Sequence, residues 1–305
     1  MMIFKNPSWI NSGSLIKSSL DQWSDQELDA IASRLKKIQS NQPTVSIVIP
    51  AYNEEINIIK CLDSFSRIRS KFPFEIIVVD NNSKDKTAQN IKRLSVTYLF
   101  QKIQGCGVAR QLGMENARGK YILTADGDTM YPPCWIDELM KKLEKPRVVC
   151  VCGRYSFLGD AKMPRWKLMI YETLVDIFVL IKSIKRPHLN AFGSSMGYVK
   201  DVALKVGYVD NNIAGEDGRL AFDLAKFGKI KLVMSYKSRV MTSSRTIVAE
   251  GSLTTVFRNR MVRVIANLSS LFTKHEDHDT RTSQNSSADY NENIKIIKKK
   301  IGLSK

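Results

Sequence analysis

"FEIIVVDNNSKD", residues 74–85, is an apolar run that ends on a carboxylate and passes into a polar turn. So short a run, rich in β-branched residues and stopped by Asn and Ser, reads as a buried strand. "TVSIVIP" (44–50) is a second such strand, expected to stop at Pro50; "TYLF" (97–100) is a weaker third and "YILTAD" (121–126) a fourth. Between them lie helical patterns: Ile56, Ile59, Leu62 and Phe65 recur on one face, and "GVARQLGMENA" (107–117) reads as a helix. Strands that are apolar along their length and alternate with helices predict a mostly parallel, Rossmann-like α/β sheet covered on both faces. Ligands of such sheets lie beyond the carboxyl ends of the strands. Here those ends are Pro50-Ala51-Tyr52-Asn53-Glu54, Asp80-Asn81-Asn82-Ser83 and Asp126-Gly127-Asp128, so three polar clusters converge on one edge.

Before this region, Ser24 and Glu27 form a capping-box pattern ahead of Leu28, Ile31, Leu35 and Ile38, which predicts a helix over 24–39. After it, residues 147–158 read as one strand, 165–184 as a long apolar helix, 215–228 as a helix closed by Gly228, and "KIKLVM" as a strand. Residues 252–272 carry Leu253, Val256, Phe257, Met261, Val264, Ile265 and Leu268 at helical spacing, with Arg258, Arg260 and Arg263 interspersed, an amphipathic pattern. Composition then turns polar, a linker pattern, and the chain ends in "IKIIKKKIGLSK", with five lysines and no acid.

The formal charge of +17 calls for an anionic partner, whether nucleic acid, acidic lipid or a phosphorylated small molecule. No apolar run reaches the length of a membrane span, and "MMIFKNPSWINSGS" lacks the pattern of a secretory signal, so the expectation is a cytosolic chain. The five cysteines form no CxxC and only three histidines are present; a structural zinc site is not expected, and the thiols are expected to be buried.

Asp126 and Asp128 stand two apart, and on an extended chain their side chains would leave on the same side. Two carboxylates so placed repel unless both are solvated or a cation sits between them. Mg²⁺ or Mn²⁺ would fit, since these ions take carboxylate oxygens and keep other positions for water and phosphate. A solvated turn is the alternative for an isolated pair of this kind.

"VSIVIPAYNEE", "FEIIVVDNNSKDKT", "GCGVARQLGMENARGKYILTADGDT" and "VGYVDNNIAGEDGRLAFDLAKFGKI" occur in this order. Over about residues 44–235 the chain thereby resembles the inverting family 2 glycosyltransferases of the GT-A fold. The resemblance implies that Pro50, Ala51, Tyr52 and Glu54 hold the nucleotide and that Asp80 meets the base of a UDP-linked donor. It implies that Arg110 lies near the diphosphate, that Asp126 meets ribose or metal, and that Asp128 is the main ligand of a divalent Mn²⁺ or Mg²⁺. Glu216-Asp217 resembles the family's acidic pair, with Asp217 as general base and Glu216 beside the donor; acids in a helix's first turn also suit its dipole. Arg245 would face the leaving diphosphate. The implied division is a helical extension (1–43), the GT-A domain (44–245), an amphipathic helix (246–273), and a polar linker with basic tail (274–305).

Gln111 stands where the family more often has Asn, and Asn81-Asn82 where it has Asp-Gly. The motif and membrane spans of processive synthases are missing, which argues for transfer of a single sugar to a glycan or lipid-linked saccharide. The basic end is an expected contact for an anionic membrane on the cytoplasmic side; a helix packed on the catalytic domain with a solvated tail is the alternative. A sugar-phosphate nucleotidyltransferase should carry a Gly-rich phosphate loop, and "IPAYNEE" has no glycine. No nucleic-acid motif is visible, so no nucleic-acid partner is expected. "GCGVARQLG" lacks the G-x-G-x-x-G spacing of a dehydrogenase.

Overall fold

A computed structural model describes residues 5–160, 163–208 and 215–243. The helices, in chain order, are α1 (Ser12–Ile16), α2 (Asp25–Ile38), α3 (Asn57–Phe65), α4 (Thr87–Arg93), α5 (Cys106–Asn116), α6 (Trp135–Leu143), α7 (Arg165–Lys185), α8 (Lys200–Val206) and α9 (Glu216–Leu224). The strands are β1 (Val45–Ala51), β2 (Phe74–Asp80), β3 (Thr97–Phe100), β4 (Tyr121–Thr124), β5 (Thr129–Met130), β6 (Val148–Cys152), β7 (Tyr155–Phe157), β8 (Met196–Val199), β9 (Lys229–Leu232) and β10 (Val240–Thr242).

Among the described residues a seven-stranded sheet runs in the order β3-β2-β1-β4-β8-β6-β9, and β5, β10 and β7 form a small second sheet. In the large sheet β8 lies antiparallel between β4 and β6, while the other pairings are parallel. Every residue of β2 is buried, as its apolar run requires. Helices cover both faces. Ile47, Ile49, Ile59, Phe65 and Trp135 belong to the core on one side, and Val48, Val79, Ile122, Ala221 and Leu224 to the core on the other. Helix α5 lies close on β1 because residue 113 is glycine; a Cβ there would meet Val48 Cγ1 at 2.3 Å.

Several expectations are corrected. Strand β1 continues through Pro50 to Ala51. Ala51 O accepts from Asn81 N on the β2 side. The alternation of a strand therefore aims Pro50 at the β4 side, where pairing has ended at Val48–Thr124 and no ladder donor is needed. Residues 147–158 form two strands, β6 and β7, in different sheets, broken at Gly153-Arg154. Helix α9 ends at Leu224, ahead of Gly228. Cys61, Cys150 and Cys152 are buried as expected, but Cys106 and Cys134 are exposed. Helix α2 carries the expected capping box: Glu27 N donates to Ser24 Oγ and Ser24 N to Glu27 Oε2.

The N-terminal segment is fastened to the sheet domain. Leu28, Ile31 and Leu35 of α2 enter the same core as β1 and β2. Asp63 of α3 accepts from Asn11 Nδ2 (3.0 Å) and Ser14 Oγ (2.7 Å). Asn6 clasps the backbone of Gly159, donating to its O at 3.0 Å and accepting from its N at 2.8 Å. The amphipathic segment 252–272, Arg245, the linker and the basic tail lie outside the described residues.

Candidate active site

The carboxyl ends of β1 and β4, the start of α5, the loop before β8 and the start of α9 enclose a cleft of about 1080 Å³. Pro50, Ala51, Tyr52, Glu54, Arg110, Asp126, Asp128, Glu216 and Asp217 all line it. Tyr52 is 47% exposed, so its ring is open to the cleft. The loop after β1 is tied to the loop after β2: Asn53 N donates to Ser83 Oγ (3.0 Å), Lys84 N to Asn53 Oδ1 (2.8 Å), and Glu54 N to Thr87 Oγ1 (2.8 Å). Asn53 stands at φ 52°, a backbone region that asparagine enters more readily than most residues.

Asp80 is set apart from the cleft wall. It is buried, and its carboxylate accepts from Ser83 N (3.0 Å) and the Tyr98 hydroxyl (3.3 Å), the contacts of a turn cap. Asn81, one residue on, lines the cleft and pins the loop before α5, donating to Ile103 O (2.6 Å) and accepting from Gly105 N (2.7 Å). Gln111 does not reach the cleft wall; it accepts from Tyr208 N at 2.9 Å and donates to Glu115.

Residues 126–128 form a turn, not the extended chain expected, with Thr129 N donating to Asp126 O at 3.2 Å. The repulsion between the two acids is resolved by separating their partners. Asp126 Oδ1 accepts from Arg110 Nη2 at 2.7 Å, while Asp128 accepts from Thr129 Oγ1 at 3.2 Å and has no ion pair among the described residues. Tyr131, whose ring stacks on Phe65, fixes this turn from below: Asp126 N donates to its hydroxyl (2.8 Å), which donates to Ser194 O (3.0 Å).

Arg110 is the centre of the site. Besides Asp126, its Nη1 donates to Glu216 (2.7 Å) and to Asp217 (2.8 Å), across more than a hundred residues of sequence. A buried arginine can keep its charge only among such partners. It fits under the loop before β8 because residue 193 is glycine; a Cβ there would stand 1.8 Å from Arg110 Nη2. Burial pushes the Asp217 carboxyl up to about 6 despite the opposing pull of Arg110, with Glu216 and Asp126 adding to the rise. Burial also raises Asp126, though a third of its side chain faces the cleft. Gly193 and Tyr131 were not singled out in the sequence, and only the chain's return through the 190s brings the first beside Arg110.

Among the described residues no three His, Cys, Asp or Glu side chains gather as a metal cage. The donor set fits a hard divalent ion of another kind, one held by a single unpaired carboxylate, that of Asp128, and completed by substrate oxygens and water.

A mostly parallel α/β sheet with an acid-lined cleft at its strand ends places the ligand site where such sheets bind their ligands. Residues 46–207 match glycosyl transferase family 2, and the chain belongs to that family. It is 35% identical over 162 residues to a dolichyl-phosphate beta-glucosyltransferase of Dictyostelium discoideum, covering 46% of this chain and 50% of that one. The chain spans about half the length of the curated relatives it matches. Among solved structures, the mannosyltransferase PcManGT from Pyrobaculum calidifontis, in complex with GDP-Man and Mn²⁺, aligns with a TM-score of 0.52 at 16% identity, over 82% of this chain and 77% of that one. Glucosyl-3-phosphoglycerate synthase from Mycobacterium tuberculosis, with Mn²⁺, UDP-Glc and phosphoglyceric acid, aligns with a TM-score of 0.50 at 18% identity, over 83% and 86%. The fold is therefore GT-A.

Proposed function

We propose that this chain is a metal-dependent glycosyltransferase that moves one sugar, with inversion, from a nucleotide-diphosphate donor to a lipid-linked or glycan acceptor. The observation that carries the reading is Arg110 joining Asp126 to Asp217 at the strand ends, with the Asp217 carboxyl raised to about 6. At pH 7 a carboxyl with that value is about nine-tenths ionised yet basic enough to take a proton.

The open ring of Tyr52 stacks on the base, a role its exposure in the cleft beside Pro50, Ala51 and Glu54 supports. Arg110 presents its charge to the donor diphosphate. Asp217 takes the proton of the acceptor hydroxyl as that oxygen attacks the anomeric carbon; the bond from that carbon to the diphosphate breaks, and the configuration inverts. Glu216 helps hold Arg110 in place while this happens. A divalent ion of the Mn²⁺ or Mg²⁺ kind, held by Asp128 with Asp126 alongside, would neutralise charge on the departing diphosphate. The acceptor class is supported by a relative named for dolichyl-phosphate, and the donor class by GT-A structures with bound nucleotide sugars.

A thermal-shift screen of UDP-, GDP- and dTDP-sugars with Mn²⁺ tests the reading. One donor at a hundredfold over its Kd should stabilise the fold by about 2.7 kcal/mol. No shift with any donor would overturn it.

A further inference from the structure

Helix α7 is 21 residues long, about 31 Å at the usual rise per residue, and leaves a large apolar stripe uncovered. Trp166, Ile170, Leu174, Ile177, Ile181 and Ile184 recur three or four residues apart, hence on one face, with exposures from 37% at Leu174 to 81% at Ile184. Six large side chains contiguous in one stripe are more than the scattered apolar residues of an ordinary surface. The helix's two acids are turned the other way. Glu172 accepts from both Arg165 and Phe157 N, and Asp176 from Arg154 and Arg239. On this side the helix carries cations and neither of its acids: Lys167 is exposed with its ammonium 5.3 Å from the Trp166 ring, while Lys182 is half-buried, its ammonium 4.6 Å from the buried Phe178 ring.

We infer that this face of α7 lies in the surface of an anionic lipid bilayer. Charge decides between the occupants an apolar stripe could have. A second copy would bring the same lysines against each other. The chain's own segment 252–272 is apolar on one side but carries Arg258, Arg260 and Arg263 and no acid, so it too meets like charge. Acidic headgroups complement the lysines, and acyl chains take the isoleucines, as in helices that lie in an interface. Among the described residues no helix is long and apolar enough to cross a membrane, which fits a helix lying flat.

The position of α7 gives the docking a use, and here the inference rests on the proposed reading of a lipid-linked acceptor. After α7 the chain makes the turn Pro187–Asn190, and Leu189, Ala191 and Phe192 then line the cleft beside Arg110. Phe192 meets Tyr155 edge-on at 5.3 Å, and both belong to the cleft wall. An apolar path thus leads from the lipid-facing helix into the cleft, and an acceptor anchored in the bilayer would enter from its membrane side.

Sedimentation of the full chain with phosphatidylglycerol–phosphatidylcholine vesicles at low salt, against pure phosphatidylcholine, tests this. Ile170→Glu/Ile177→Glu should lower the partition coefficient at least tenfold. Ile170→Gln/Ile177→Gln, which adds no negative charge, should lower it in the same direction. Lys298→Gln/Lys299→Gln/Lys300→Gln, in the basic tail, should retain most of the binding. Both isoleucine variants expose rather than bury their new side chains and should melt like wild type, with unchanged donor binding in the thermal-shift assay. Wild-type vesicle binding by the isoleucine variants, or its loss only in the lysine variant, would overturn the inference. So would a wild-type dimer that these variants split with no change in vesicle binding. Donor binding that survives while docking fails would leave the glycosyltransferase reading standing.

Discussion

Asp217→Asn removes a charge that the fold holds at a disadvantage, and its effects on stability and turnover should therefore run in opposite directions. The folded carboxyl stands at about 6 against an ordinary 3.8, chiefly through burial. Because the folded value is raised, the favourable contribution is fully present below about 3.8 and is lost as pH rises through about 6. At pH 7.5 ionised Asp217 thus disfavours the fold by about 3 kcal/mol, the rise from 3.8 to about 6 taken at about 1.36 kcal/mol per pH unit. Asparagine keeps the shape and drops the charge, so the variant should melt at or above the wild-type temperature at pH 7.5. In a domain of this size about 2–4 °C accompanies each kcal/mol. The difference should close as the buffer approaches pH 4. Turnover should fall about 10²- to 10⁴-fold with donor affinity retained, the usual contribution of a general base. Wild-type kcat/KM should correspondingly decline below about pH 6. Calorimetric melts from pH 4 to 8 and single-turnover transfer assays measure both sides. A variant that melts several degrees lower at pH 7.5, or transfers sugar within about threefold of wild type, would refute the reasoning.

Arg110→Ala leaves three carboxylates facing one another without their shared cation, and guanidinium unfolding should register a loss of about 3–5 kcal/mol; a loss under about 1 kcal/mol would contradict its place at the centre. Gly193→Ala drives a methyl into the guanidinium, 1.8 Å from Nη2, so donor affinity by calorimetry should drop at least tenfold, and wild-type affinity would mean that Arg110 does not contact the donor. Asp128→Asn touches only the Thr129 hydroxyl, so the melting temperature should stay put while Mn²⁺-dependent binding of the donor disappears; metal-stimulated binding at wild-type strength would remove Asp128 from the metal's ligands.

The parts of the fold legible in the sequence are those with a local cause. Ser24 and Glu27 announce α2 because both halves of a capping box lie within one turn, and β2 is readable because burial on both faces demands an unbroken apolar run. Strand β8 carries no such signal. It is four residues after a glycine–serine turn, and its direction is set by the edges that β4 and β6 offer it. The small sheet of β5, β7 and β10 is built from two- and three-residue strands that no periodicity could reveal. In the site, the convergence of Tyr52 and Asp126 was legible because sheets of this kind gather strand ends, whereas Asp217, at the start of α9, was reached only through the family resemblance. The ion-pair geometry was not. That Arg110 reaches Glu216 and Asp217 rather than solvent depends on residues 106 and 107 positions away and on a glycine in a third segment. The turn at 126–128 was misread because two aspartates and a glycine fit an extended strand end as readily.

The clasp between Asn6 and Gly159 sets an order on the birth of the molecule. Its two halves are separated by 153 residues, so Asn6 leaves the ribosome well before Gly159. At about 5–20 residues per second, Asn6 waits roughly 8 to 30 s for its partner to be made. Helix α2 waits far less, because the strands and helix it covers follow within the next few tens of residues. The segment before β1 therefore joins the fold from α2 outward, and the residues around Asn6 close onto the finished turn after β7 like a seal applied after assembly.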